Sequence, residues 1–219
     1  MNRYLSDGVD RYLAAASMLR NLEGAVAEAT ETIKAAFIAG GHLYCMGNGG
    51  SAADAQHFVG ELIGHYRHDR APLPAVALGA DATTMTCIAN DYDFSVVYAR
   101  QITALARRGD VVAAFTTSGR SANIVQGLEA ARRASARTIL FTGSRPGPAD
   151  EHADIVLRAP AALTPRIQEV HTFLLHTISE ELDDWAFAHA TATSHDHAHA
   201  DSPTRKVATL NGKSKDGTA

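Results

Sequence analysis

The sequence predicts an α/β fold in which a parallel β-sheet is sandwiched by helices. Three observations predict it. From His42 onward, short apolar runs alternate with helical patterns. The clearest run, Val111–Phe115, is apolar at every position, as in a strand buried on both faces. The loops that lead from such runs into helices are rich in glycine and hydroxyl side chains. Alternating strands and helices imply right-handed crossovers and one sheet covered on both sides.

Taken in order, Leu5, Val9 and Leu13 begin a helical pattern, and Leu22, Val26, Ala29, Ile33 and Phe37 continue with steps of three and four. Gly40-Gly41 ends the second helix. Two helices before the first strand exceed what the sheet needs, so residues 1–40 are expected to pack against another subunit. His42–Met46 reads as the first strand, followed by a glycine loop and a helix from about Ser51. Ala75–Leu78 is a second strand. Helical stretches then run through Asn90 and over Ser95–Arg107. After Val111–Phe115 come the loop TTSGRS and a helix to about Ser135. Thr138–Thr142 and Ile155–Leu157 are further strands. Pro165–Phe187 reads as a final long helix, with Pro165 in the first turn, where proline is tolerated. Beyond it hydrophobic periodicity fades, so residues 1–188 read as the domain and 189–219 as a disordered, His-containing tail. Within that tail, His195, His197 and His199 read as a solvated cluster rather than a metal site.

With 219 residues and 46% hydrophobic content, the chain is long enough to bury one substantial core. A net charge of −4 argues against nucleic acid as a partner, which would normally demand a basic surface. No apolar stretch approaches the length needed to span a bilayer, and the polar start MNRYLSDGVDRYL does not suit a signal peptide. The cytoplasm is the expected compartment, with Cys45 a small core residue and no disulfide to Cys87.

Two loops occupy the place where ligands bind in parallel sheets, beyond the carboxyl ends of the strands. They are Gly47-Asn48-Gly49-Gly50-Ser51 and Thr116-Thr117-Ser118-Gly119-Arg120-Ser121. Glycine lets backbone amides approach a ligand, hydroxyls add donors, and each helix start contributes free N–H groups and partial positive charge. A tight turn with a serine cap would account for one such loop. Two together point to a phosphate site. Neither matches a nucleotide-binding fingerprint.

His57 and Glu61 are four apart and share a helix face, a spacing suited to one divalent cation of the zinc type but also to a plain surface contact. Gln168 and His176 share a face of the last helix about 12 Å apart along its axis. They could share a metal only by leaning together or from two chains. His171 reads as a packed core residue.

The runs MGNGGSAADAQHFVGEL (46–62), Asn90-Asp91, TTSGRSANI (116–124) and TPRIQEVHTFLLHTISE (164–180) resemble the phosphoheptose isomerases of the sugar-isomerase (SIS) fold. The resemblance runs in order from the first helices to about Phe187. It implies a flavodoxin-like sheet, a homotetramer with active sites at subunit contacts, and interconversion of sedoheptulose 7-phosphate and D-glycero-D-manno-heptose 7-phosphate. It further implies one Zn2+ per subunit held by His57, Glu61, Gln168 and His176, with Glu61 and His176 carrying the proton transfers. The implied substrate contacts are Asn48, Gly49, Gly50, Ser51, Asn90, Asp91, Thr116, Thr117, Ser118, Ser121 and Gln168. Two positions depart from the family's usual pattern: Thr116 stands for serine, and His65 for arginine. The alternative is a non-catalytic protein of the same fold that binds a replication initiator or senses a phosphosugar. Such a protein has no need to keep the metal and acid–base set, which is complete here.

Overall fold

The computed structural model describes residues 3–197, with side chains for residues 3–189. Five strands form one sheet: β1 Leu43–Gly47, β2 Ala75–Ala77, β3 Val111–Phe115, β4 Arg137–Thr142 and β5 Ile155–Arg158. All pairings are parallel and the spatial order is β2-β1-β3-β4-β5. This is the flavodoxin-like order, in which the chain reverses direction across the sheet between β1 and β3. A crevice at the carboxyl ends of those two strands follows from the topology alone.

The strands are apolar throughout because both faces are buried. Leu43 and Cys45 of β1, Val111, Ala113 and Phe115 of β3, and Ile139 and Phe141 of β4 point to one face. There they meet α2 (Glu23–Ile38), α3 (Gly50–Ile63) and α7 (Thr164–His197) through residues such as Ile33, Phe58 and Leu174. The alternate residues Tyr44, Met46, Val112, Ala114 and Leu140 face the other layer. That layer is built from α4 (Ala82–Asp91), α5 (Val97–Leu105) and α6 (Ala122–Arg133). Phe115 and Phe141 stack at 4.2 Å between centroids, with Phe58 edge-on to both.

α1 (Arg3–Ala16) lies along α7, tied to it where Arg166 Nη1 donates to the Gly8 carbonyl at 2.7 Å. Leu5, Val9 and Leu13, the positions that carry its helical pattern, are exposed. Both cysteines are free, Cys45 buried and Cys87 exposed. Among the described residues, no helix is long and apolar enough to cross a membrane.

The last helix departs from expectation. It does not stop near Phe187 but continues to His197, so the first part of the segment read as a disordered tail is helical. Residues 188–197 contain neither glycine nor proline, and three of the ten are alanine, the best helix former, so nothing within them breaks the helix. His199 and the rest of 198–219 lie outside the described residues, as do the side chains of His195 and His197.

Candidate active site

The loop after β1 turns sharply into α3. Gly49 sits at the N-cap of α3 with φ +56 and ψ −123, a conformation that disfavours any side chain. Gly50 begins the helix, and a Cβ there would sit 2.5 Å from Nε2 of Gln168 on α7, so that amide would have to move aside. The glycines therefore let the loop press against α7, and Ser51 is buried beside them. On the neighbouring strand, the second loop curls so that the Gly119 amide donates to Thr116 Oγ1 at 3.2 Å and the Arg120 amide to Ser118 Oγ at 3.2 Å. Thr116 is buried, whereas Thr117, Ser118 and Ser121 face outward to differing degrees. Ser121 occupies the N-cap of α6, yet its hydroxyl makes no capping bond to its own helix.

The two loops are joined by a residue that motif reading passed over. The Asn48 and Asn123 amides bond reciprocally, Nδ2 to Oδ1, at 2.9 and 2.8 Å. Asn123 is buried in the first turn of α6. Its place in the run TTSGRSANI, two residues after TTSGRS, was the available signal, but only the pairing with Asn48 gives it meaning.

Around α3 and α7 three groups converge within one chain. His57 Nε2 lies 2.9 Å from Glu61 Oε1 and 3.2 Å from His176 Nε2, and the two imidazoles meet edge to face at 4.8 Å. One ligand atom from each lies within 4.8 Å of the others. Two nitrogens each about 2.0 Å from one tetrahedral ion would be separated by about 3.3 Å. The donor set and its spacing fit a zinc-type cation. Tyr66 lies against the far side of His176, ring centroids 5.8 Å apart.

Gln168 does not join this group by leaning along its helix. Its amide is turned to Gly50, at the loop end of the site. Thr172, midway between Gln168 and His176, donates to Asp54 Oδ1 at 3.1 Å. Asp54 is 8% exposed, and its Oδ2 has no hydrogen-bond partner among the described residues. Burial raises its carboxyl, opposed by the Thr172 hydrogen bond and the nearby His57. A buried carboxylate between the loops and the three-group centre was invisible in the sequence, because its partners lie on a distant helix.

Asn90 and Asp91 end α4 on the surface, and their side-chain bonds are local: Asn90 Nδ2 donates to Asp91 Oδ1 at 2.8 Å. No hydrogen bond connects them to either loop among the described residues. His171, as expected, is core. It is fully buried between Phe115 and Phe141, with Nε2 3.3 Å from the Thr142 carbonyl, and burial lowers its pKa to about 4.

A cleft of about 660 Å3 opens between α1 and α7, and His176, Thr172 and Glu169 form its inner wall. The two loops thus open α3 and α6 side by side, and α3 leads from the first loop to the imidazole–carboxylate centre.

The family described as SIS domain matches residues 9–143. Fold and site together define a protein of the sugar-isomerase class. A phosphoheptose isomerase of Rhodospirillum rubrum is 43% identical over 160 residues, covering 73% of this chain and 85% of that protein. One from an Azoarcus species is 40% identical over 186 residues, covering 84% and 93%. The solved structure of a phosphoheptose isomerase from Francisella tularensis superposes with a TM-score of 0.80 at 32% identity, covering 83% of this chain and 97% of that one. The chain belongs to the phosphoheptose isomerase family.

Proposed function

We propose that the protein interconverts sedoheptulose 7-phosphate and D-glycero-D-manno-heptose 7-phosphate in the cytoplasm, as a zinc-dependent homotetramer. One observation carries this reading: His57, Glu61 and His176 meet at 2.9 and 3.2 Å, with His57 and Glu61 on the helix that the first glycine loop opens.

Ketose–aldose isomerisation moves a proton between adjacent carbons and another between their oxygens. The TTSGRS loop and the start of α6 hold the phosphate, using backbone amides and the free Ser121 hydroxyl. His57 lies two helical turns, about 10.5 Å, beyond Gly50 along α3, a gap that an extended seven-carbon sugar spans. Binding energy at the phosphate thereby positions carbons that lie remote from it. The Glu61 carboxylate takes the proton from the carbon beside the carbonyl and returns it to the neighbouring carbon. The His176 imidazole moves the proton between the two oxygens, which requires one ring nitrogen to keep its proton while the other faces His57. A cation held by His57, Glu61 and His176, with Gln168 of a neighbouring copy of the chain as the proposed fourth ligand, would polarise the carbonyl and stabilise negative charge on oxygen. Asn48, Gly49, Gly50, Ser51, Asn90, Asp91, Thr116, Thr117, Ser118 and Gln168 complete the proposed substrate contacts. The exposed apolar face of α1 supports assembly of subunits, and a neighbouring subunit would bring in the polar groups that stand apart here, Asn90 and Asp91 among them.

The test is turnover of sedoheptulose 7-phosphate compared with hexose phosphates by the purified, zinc-supplemented protein. The heptose phosphate should be preferred by at least tenfold in kcat/KM. Failure to isomerise any sugar phosphate would leave only a binding scaffold.

A further inference from the structure

A second connection ties the two helices of the centre together, and its side chains, those of His68, Arg70 and Asp183, lie outside the motifs. Asp183 lies on α7 seven residues after His176, two turns or about 10.5 Å farther along the helix. Its side chain is 1% exposed and accepts from the backbone amides of Arg67 at 3.0 Å and His68 at 2.8 Å, from His68 Nδ1 at 2.9 Å and from Arg70 Nε at 2.8 Å. Arg70, whose side chain is fully buried, uses its remaining donors on the end of α3. It gives hydrogen bonds to the Leu62 carbonyl at 2.8 Å and to the Glu61 carbonyl at 2.9 Å. The backbone of Glu61, whose carboxylate faces His57, is therefore bonded through Arg70 to Asp183 on the helix that carries His176. The same carboxylate pins the segment after α3 that lays Tyr66 against His176.

The alternative use of this cluster, a second cation site at His68, Asp183 and Asp184, does not fit, because the Asp183 oxygens already accept from amides, imidazole and guanidinium. Removing one partner of a buried ion pair leaves an uncompensated charge. The node thus joins three elements, the end of α3, the segment after it and α7, through buried hydrogen bonds.

We propose that Asp183, acting through Arg70, is a positioning residue of the reaction centre: it sets the separation of α3 and α7 at Glu61 and His176. The proposal rests on reading His57, Glu61 and His176 as that centre. Outer groups that orient metal ligands typically change metal affinity 10- to 100-fold when removed.

The test compares the full-length protein with Asp183→Asn and Arg70→Met. Zinc affinity of the metal-stripped protein is measured by chelator competition, and kcat and KM are measured with sedoheptulose 7-phosphate. Each variant should lose at least tenfold in zinc affinity and at least tenfold in kcat. KM should stay within about twofold, because the phosphate is held at the other end of α3. A folded variant that melts earlier but keeps wild-type zinc affinity and kcat has lost a structural bond only, and that result overturns the proposal. If Asp183→Asn does not fold, Arg70→Met decides on the same criteria, since Asp183 then keeps its amide and imidazole donors. If the wild-type protein itself binds no zinc, the metal reading falls while kcat still decides the role of Asp183.

Discussion

Replacing Glu61 by Gln removes a charge and a base while preserving shape. The Glu61 side chain is 22% exposed and its Oε1 lies 2.9 Å from His57 Nε2, a partly solvated pair of the kind worth no more than about 1 kcal/mol to stability. For a chain of this length, that corresponds to a melting shift of roughly 2–4 °C. The catalytic consequence is far larger. A positioned general base contributes about 10²- to 10⁴-fold, or roughly 3–5 kcal/mol at 1.36 kcal/mol per decade. The phosphate contacts are untouched, so KM should change less than threefold while kcat falls at least 100-fold. Steady-state isomerase assays alongside a thermal melt separate the two effects. A folded Glu61→Gln protein with kcat within tenfold of wild type would refute the assignment of Glu61 as base.

Three further expectations follow from the same geometry. Ser121→Ala should leave stability nearly unchanged, because its hydroxyl does not cap α6, but should raise KM for the phosphorylated sugar at least tenfold; a loss of about 1 kcal/mol with unchanged KM would assign it to capping instead. His171 is fully buried with its pKa lowered to about 4, below the unfolded value of about 6.5, so the unfolded chain binds more protons between those limits. Its contribution is complete above pH 6.5 and falls as pH drops toward 4, by about 2 kcal/mol at pH 5, and denaturant melts should show this slope in wild type but not in His171→Leu. Chelation should abolish turnover and leave the fold intact, with zinc restoring activity; undiminished turnover after exhaustive chelation would exclude a metal requirement.

The strands and most helices were legible because burial on two faces writes itself as continuous apolar runs such as Val111–Phe115, and amphipathic helices as steps of three and four. The end of α7 was not legible, since hydrophobic periodicity fades there, whereas the absence of glycine and proline lets the helix continue to His197. At the site, local spacing revealed His57 with Glu61 and the two loops. It left open whether His176 met them within one chain, because that depends on how α7 crosses α3, and the structure places all three together. Gln168 was grouped with His176 on spacing, but its amide lies against Gly50, where the missing side chain leaves it space. The roles of Asp54, Asn123, Arg70 and Asp183 could not be read from the sequence for one reason: each depends on a partner 75 or more residues away.

The most direct measurement is a crystal structure of the zinc-loaded protein with anomalous data collected at the zinc edge. A single strong peak about 2.0–2.2 Å from His57 Nε2, Glu61 and His176 Nε2 of the same subunit is the predicted result. A zinc peak elsewhere, or none between α3 and α7, would contradict the account.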